Sequence, residues 1–253
     1  MEALLFALHY FTNFPIYRQP RWDDRYAAAS LAWLPFTGLM IGLCLVTLDI
    51  FFVNTGFPQS GALRALALMG LELWVGGARF LEGFSKTCDG LFAGPASPGR
   101  RGLERARDSQ IGRAGVIGLV FATLAKLLIL TELSSLDAYA RALAFYPCWS
   151  RWAYSFAACR YEVAGEEGMA YFFKVNQKPV YIILSSAFTL MALMLTTNFL
   201  YIGALGSFIV VVFCCSVISS RLGGHTEESY GMAAVVSELS LLFLSAASGL
   251  ILR

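Results

Sequence analysis

Seven apolar segments follow one another along this chain of 253 residues. They lie at about 30 to 53, 63 to 84, 114 to 134, 139 to 159, 179 to 197, 199 to 219 and 231 to 252. A helix needs about 20 mostly apolar residues to cross the hydrocarbon core of a bilayer. Because little sequence remains between the segments, the pattern predicts one integral membrane domain, residues 1–253, that is all-α and polytopic, with a bundle of about seven transmembrane helices in a lipid bilayer.

The composition supports a membrane setting and argues against nucleic acid as a partner. Hydrophobic residues make up 57% of the chain and charged residues 14%, whereas a soluble domain carries roughly 25% charged residues. The net charge is only +2, and no basic stripe alternates with aromatic residues as in nucleic-acid binders. Residues 1–17 lack the basic start of a signal peptide, and they predict an interfacial or re-entrant N-terminal helix.

Lysine and arginine are distributed unevenly between the connections. Cytoplasmic loops of membrane proteins carry an excess of these residues. Here one alternating set of connections holds twelve of them, and the other set holds only Arg141 and Arg253. With an odd number of spans, this predicts a cytoplasmic N-terminus and an outer C-terminus. The twelve are Arg18, Arg21, Arg25, Arg100, Arg101, Arg105, Arg107, Arg113, Arg160, Lys174, Lys178 and Arg221.

The conspicuous polar clusters all fall on the predicted cytoplasmic side. They comprise residues 82–89, the pair Asp108 and Ser109, the acids in 162–167, and GGHTEES at 223–229. The outer connections carry almost no reactive side chains. The sequence therefore predicts that four distant segments meet in one cavity that faces the cytoplasm.

Four ionisable residues form a stripe within the second apolar segment. Arg79, Glu82, Lys86 and Asp89 have the spacing i, i+3, i+7 and i+10, which keeps them on one face of a helix. Internal pairing of Glu82 with Lys86 at i,i+4 would make the stripe a packing feature. Alternatively, Glu82 and Asp89 bind Mg²⁺, which accepts a few carboxylates together with water and phosphate oxygens, and Arg79 binds phosphate.

Two motifs carry a resemblance to a known family. TCDGLF at 87–92 and RARDSQIGRAGVIGLVFATLAKLLIL at 105–130 resemble cobalamin synthase, the adenosylcobinamide-GDP ribazoletransferase family. Its pattern reads roughly GGxHLDGLADTxDGLF, then a basic loop, then MxDSxIGxxGVxAL. The likeness extends over most of the chain, through LAWLPFTGLMIGL at 31–43, SRWA at 150–153, EEGM at 166–169, GGHT at 223–226 and SELS at 237–240.

The resemblance implies a Mg²⁺-dependent, multi-pass phosphotransferase of the bacterial cell inner membrane. Such enzymes join adenosylcobinamide-GDP to alpha-ribazole or its 5′-phosphate and release GMP, late in cobalamin biosynthesis. Assembly into a homo-oligomer stays open. The resemblance implies metal binding by Glu82 and Asp89, and catalysis by both together with Asp108. The implied substrate contacts are Arg79, Lys86, Arg107, Ser109, Glu228 and Glu238.

The chain departs from the family pattern at several of these positions. Phe80 stands where the family has histidine, Glu82 where it has aspartate, and Lys86 where it has the middle aspartate of the acidic motif. Glu227 and Glu228 replace a Gly-Asp pair. Two alternatives follow: Lys86 supplies charge in an altered but active site, or the chain is an impaired paralogue that binds corrinoid or nucleotide without turnover.

Two other functions, and the positions of Glu238 and His225, also stay open. A small transporter subunit would use a charged stripe to line an ion path, but it predicts polar residues that continue to the outer side. A lipid-forming CDP-alcohol phosphotransferase would carry Ala-Arg after DG and more aspartates. Glu238 either faces the cavity of Glu82 or forms a buried pair with Lys126 or Arg151. His225 is expected to be a solvated loop residue rather than a phosphate ligand.

Overall fold

The computed structural model describes residues 1–18, 23–58, 60–93, 103, 104, 106, 110–135, 139–196 and 198–251. Within these residues the chain forms eleven helices, and its strand-like pairing is one isolated bridge between Val163 and His225. The helices are α1 Glu2–Phe11, α2 Asp24–Ser30, α3 Leu34–Thr55, α4 Gly61–Gly76, α5 Arg79–Leu91, α6 Arg113–Leu133, α7 Tyr139–Arg160, α8 Met169–Asn176, α9 Pro179–Met194, α10 Asn198–Leu222 and α11 Glu227–Ile251.

Several of these helices are long and apolar enough to cross a membrane. Among the described residues, α3, α6, α10 and α11 meet this requirement individually. Two bent pairs, α4 with α5 and α8 with α9, raise the number to as many as six if each pair counts as one span. The chain is therefore an all-α, multi-pass membrane protein. Helix α7 also covers about 33 Å, but it is less apolar, and most of its side chains are buried within the bundle.

The second predicted span is not one continuous helix. Segment 63–84 breaks after Gly76, and the axes of α4 and α5 enclose 93°. Gly77 takes a φ of 70°, a left-handed value that favours glycine. Asn13 caps the end of α4: its backbone N–H donates to the Val75 carbonyl at 2.7 Å and its side chain to the Trp74 carbonyl at 2.9 Å. The charged stripe thus lies on a separate amphipathic helix.

Close packing between α3 and α7 forms the centre of the bundle. A Cβ atom on Gly38 would lie 2.2 Å from the carbonyl oxygen of Pro147, and one on Gly42 would lie 2.2 Å from that of Ala144. Glycines four residues apart allow two helix backbones to approach closely within a membrane. This contact fixes α7, which carries Arg151 and Tyr154 toward the cavities described below.

Candidate active site

A polar cavity of about 150 Å³ opens between α5 and α11. It adjoins a second polar space of about 300 Å³ beside the start of α8, and the two share Glu227 and Glu228. Together they bring α5, the 162–168 loop and the start of α11 to one place, as the sequence predicts. The first space is lined by Arg79, Phe80, Glu82, Gly83, Lys86, Tyr154, Glu227, Glu228 and Gly231, and the second by Glu167, Gly168, Met169, Ala170, Thr226, Glu227 and Glu228.

Two glycines allow α5 and α11 to approach closely at this cavity. A Cβ atom on Gly83 would lie 2.6 Å from the Glu228 carbonyl oxygen, and one on Gly231 would lie 3.1 Å from the Phe80 carbonyl oxygen. A larger side chain at Gly83 would separate the two helices, and one at Gly231 would require a small shift. The contact therefore holds the acidic start of α11 beside the charged face of α5.

Glu82 and Lys86 form the intrahelical ion pair that their spacing predicts. The Nζ atom of Lys86 lies 2.7 Å from Oε1 of Glu82. The side chain of Lys86 is 13% exposed, whereas that of Glu82 is 53% exposed. Both residues nevertheless line the polar cavity. The ion pair is thus compatible with a function of both residues in the cavity, and the carboxylate of Glu82 is accessible from solvent.

Arg79 belongs to a group that joins three helices at the cavity wall. The hydroxyl of Tyr10 on α1 donates to Oε1 of Glu227 at 2.7 Å, and Nη1 of Arg79 donates to the same oxygen at 3.5 Å. The guanidinium lies 4.0 Å above the ring of Tyr10. Burial, followed by the charge of Glu227, raises the pKa of Tyr10. Tyr10 is not predicted as a site residue, because the only signal for it in the sequence is its place in an amphipathic segment.

Asp89 lies at the end of α5 and holds the start of α6. One carboxylate oxygen accepts the Gly112 N–H at 2.6 Å, and the other accepts the Gly115 N–H at 2.8 Å. These N–H groups are among those that a helix leaves without intrahelical partners. Asp89 is buried and does not line the polar cavity. It thus organises the chain immediately after the segment that carries Arg107, Asp108 and Ser109, three predicted site residues that lie outside the described residues.

Glu238 lies in a buried charge cluster formed by Glu72, Lys126, Arg151 and Glu238. Lys126 forms ion pairs with both Glu72 and Glu238, and the Tyr146 hydroxyl donates to Oε2 of Glu72 at 2.9 Å. Glu238 therefore forms the predicted pair with Lys126, and it borders a different cavity from that of Glu82. Glu72 is not among the predicted site residues, although a lone acid in an apolar segment is a signal for it in the sequence.

His225 is buried rather than solvated, contrary to the expectation from its loop position. Its Nε2 atom lies 3.1 Å from the Cys215 carbonyl oxygen, and its Nδ1 atom lies 2.9 Å from Oγ of Ser229. A carbonyl can only accept, so Nε2 carries the proton. Burial lowers the pKa of His225 to about 4, against the weaker effect of its bond to Cys215. The histidine therefore anchors the loop before α11 and does not reach the polar cavity.

Comparison with known proteins identifies the family. The model of the family described as cobalamin-5-phosphate synthase matches residues 3–246. The chain belongs to the cobalamin-5-phosphate synthase family. This match covers nearly the whole chain, so it includes both α5 and α11 and the cavity between them.

Curated relatives of this synthase family carry the name adenosylcobinamide-GDP ribazoletransferase. One from Prochlorococcus marinus strain SARG is 28% identical, with 96% of this chain and 95% of the relative aligned. Another, from strain MIT 9303 of the same species, is 30% identical over 84% of each chain. The protein of Escherichia coli K12 is 29% identical over 96% of this chain and 98% of its own. No solved structure matches the chain.

The departures from the synthase pattern lie on the wall of the polar cavity. Phe80, Glu82, Lys86, Glu227 and Glu228 all line it. Phe80 lies with its ring 5.4 Å from that of Tyr154 and 6.2 Å from that of Phe11. Lys86 is already neutralised by Glu82 at 2.7 Å. The positions at which this chain departs from the pattern quoted for the resemblance thus lie together at the candidate site.

Proposed function

We propose that this protein is a phosphotransferase that joins adenosylcobinamide-GDP to alpha-ribazole or its 5′-phosphate and releases GMP. The membership of the synthase family supports this reaction, and so do the names of the relatives. The observation that carries the proposal is the polar cavity, where Arg79 and Lys86 lie beside the accessible carboxylate of Glu82. Two cations and a carboxylate on one wall suit the positioning of phosphate oxygens.

The reaction needs mainly alignment and charge stabilisation. A hydroxyl oxygen of ribazole attacks the phosphorus bound to cobinamide, and the bond from that phosphorus to the oxygen of the GMP leaving group breaks. The hydroxyl proton passes to the surrounding water. Arg79, held by Tyr10 and Glu227, and Lys86 are proposed to contact the phosphate oxygens. The cavity walls keep the two reacting groups close together, which lowers the entropic part of the barrier.

We propose Mg²⁺ as the cofactor, with Glu82 as the described residue best placed to bind it. Among the described residues no three His, Cys, Asp or Glu side chains converge to form a metal site. Magnesium commonly binds one or two carboxylates and completes its shell with water and substrate phosphates, so the donor set fits. When bound, it would supply charge neutralisation of the transferring phosphoryl group. Asp108 is a second proposed ligand, and Asp89 is proposed to support the site through the start of α6.

We propose a setting in the bacterial inner membrane, and the distribution of Lys and Arg supports an orientation in which the polar cavity faces the cytoplasm. The start of α6 at Arg113 and the start of α11 at Glu227 both lie beside α5. Both are predicted cytoplasmic ends. This placement would give water-soluble nucleotide substrates direct access to Arg79 and Glu82.

A turnover assay tests the proposal. Purified protein in detergent is supplied with adenosylcobinamide-GDP, alpha-ribazole and Mg²⁺, and GMP release is followed by chromatography. We expect release that depends on both substrates and stops when the metal is chelated. Binding of adenosylcobinamide-GDP without GMP release would instead support the impaired paralogue, for which the pairing of Lys86 with Glu82 is the specific observation.

Tyr10 is expected to affect substrate affinity through Arg79. Tyr10→Phe removes the hydroxyl that fixes Glu227 at 2.7 Å, so Arg79 loses a fixed partner. We expect KM for adenosylcobinamide-GDP to rise about fivefold, the scale of one hydrogen bond, with little change in kcat. Steady-state GMP release measures both constants.

Two further variants establish whether Tyr10 acts through Arg79. In an Arg79→Ala background, Tyr10→Phe should have no additional effect on KM. Tyr17→Phe is the matched control because Tyr17 is fully exposed, and it should behave like the wild type. Equal effects of Tyr10→Phe with and without Arg79 would contradict this positioning role.

A further inference from the structure

A small, mostly apolar cavity lies deeper in the bundle than the polar cavity, and Phe80 lines both. It measures about 60 Å³ and lies where α4, α5, α6, α7 and α11 meet. Most of its wall is apolar, and the buried charge cluster borders it. Glu238 lies two helical turns beyond Gly231 on α11, or about 10 Å deeper than the polar cavity. The small apolar cavity therefore lies next to the candidate active site, and Phe80 lines both.

Arg151 lines this cavity and has an unused hydrogen-bond donor, a fully buried Nε atom that a ligand reaches only if neighbouring side chains move. The residue is 2% exposed, and its Nε atom has no hydrogen-bond partner among the described residues. Its Nη1 atom donates to the Pro147 carbonyl at 3.2 Å, and no described carboxylate forms an ion pair with it. A buried donor without a partner costs free energy. A ligand that supplies an acceptor at this position would recover that cost.

The charge balance of the cluster restricts the kind of ligand. At their formal charges, Glu72 and Glu238 carry two negative charges, and Lys126 and Arg151 carry two positive charges. A phosphate would add negative charge to a balanced group in a region of low dielectric constant, where unpaired charge is costly. An uncharged group with a hydrogen-bond acceptor keeps the balance and satisfies Arg151.

The walls of the cavity favour a flat, mostly apolar group. The guanidinium of Arg151 lies 5.1 Å from the centre of the Phe80 ring, so rotation of Phe80 would expose the N–H groups of Arg151 to the edge of an aromatic ring. Apolar side chains supply the remaining contacts. The present volume is smaller than a bicyclic heteroaromatic ring, so entry of such a ring requires Phe80 to move and merge the two cavities. The apolar side chains are Met69, Leu73, Leu81, Val235 and Leu239.

We propose that this cavity receives the heteroaromatic base of the ribazole nucleoside, with Arg151 donating a hydrogen bond to the free ring nitrogen. The inference rests on the proposed function, because it locates one of the two substrates of that reaction. The base lies behind Phe80, and the ribose remains in the polar cavity near Arg79 and Lys86. Arg151 is thus a specificity-determining residue for the nucleoside acceptor.

Equilibrium binding to the full-length protein in detergent tests the role of Arg151. Titration calorimetry with benzimidazole riboside and with adenosylcobinamide-GDP measures the two substrate sites separately. Arg151→Lys keeps the charge but removes the planar donors, and we expect about tenfold weaker binding of the riboside. Affinity for adenosylcobinamide-GDP should stay within about twofold. Arg64→Lys is the matched control, because Arg64 pairs with Asp49 elsewhere in the bundle and should leave both affinities unchanged.

Substitutions on α5 test the same cavity without altering Arg151. Phe80→Trp fills the space and should weaken riboside binding. Phe92→Trp adds the same volume at the end of α5, where the side chain is 75% exposed, and should not. The inference alone would be overturned if neither Arg151→Lys nor Phe80→Trp changed the affinity for the riboside. This outcome requires that the wild type still binds adenosylcobinamide-GDP and releases GMP. An equal loss of affinity for both substrates would mean that Arg151 merely supports the fold, which also overturns it. Wild-type protein that binds neither substrate would overturn the proposed function and the inference together.

Discussion

Replacing Lys126 with methionine is expected to destabilise the protein by about 3–5 kcal/mol, the scale for removing one partner of a buried ion pair. Lys126 lies between the carboxylates of Glu72 and Glu238, and all three side chains are at most 13% exposed. Its loss leaves two buried negative charges opposite a single cation, Arg151. Both carboxylates border the cavity of about 60 Å³, which leaves little room for rehydration.

Thermal unfolding of the purified protein in detergent measures this effect. Lys174→Met is the matched control: Lys174 pairs with Glu162, whose side chain is 84% exposed, and exposed pairs contribute only about 0–1 kcal/mol. If Lys126→Met lowers the stability no more than Lys174→Met does, the remaining charges of the buried cluster are hydrated or neutralised by other groups.

A compensating substitution tests whether charge, rather than packing, is responsible. Glu238→Gln added to Lys126→Met leaves Glu72 and Arg151 as one negative and one positive charge. The double variant should therefore recover part of the lost stability, although it carries one more substitution. If the double variant is less stable than Lys126→Met alone, packing of the Lys126 side chain is the larger contribution.

Glu82→Gln is expected to lower the rate of GMP release by about 100-fold, the scale of removing one group that stabilises transition-state charge. Glu82 is the accessible carboxylate of the polar cavity, with 53% of its side chain exposed. The amide keeps its size but loses the charge proposed to bind Mg²⁺. Binding of adenosylcobinamide-GDP should persist, because Arg79 and Lys86 remain. Glu162→Gln, an exposed acid outside the cavity, is the control, and equal rates for both variants would contradict the role of Glu82.

Lys86→Asp tests the most unusual residue of the site. The substitution restores the residue type of the family pattern, but it places two carboxylates at i,i+4 on α5, where like charges repel. Because the ammonium of Lys86 lies 2.7 Å from Glu82 and lines the cavity, we expect lower affinity for adenosylcobinamide-GDP and slower GMP release. A higher rate than the wild type would mean that Lys86 occupies a degraded metal-ligand position, as the impaired paralogue requires.

The charged stripe shows which features of the site could be predicted from the sequence. The helical spacing of Arg79, Glu82 and Lys86 correctly placed them on one face, and their cavity contains Glu228 as expected. The break at Gly77 was missed, because an apolar segment with two adjacent glycines reads equally well as one span. Asp89 shares the stripe, yet its carboxylate accepts two N–H groups from α6, a contact between residues more than twenty positions apart that no local pattern encodes.

The sequence alone determined that this chain is a helical membrane protein and which family it resembles, because span length, apolar composition and contiguous motifs are local properties. It also determined which charges share a helix face. Only the tertiary structure decided their partners: Tyr10 with Glu227, Lys126 with Glu72 and Glu238, and Arg151 with an unused donor beside Phe80. These contacts depend on the approach of distant helices through residues such as Gly38 and Gly83, and that approach is set by the packing of the whole bundle.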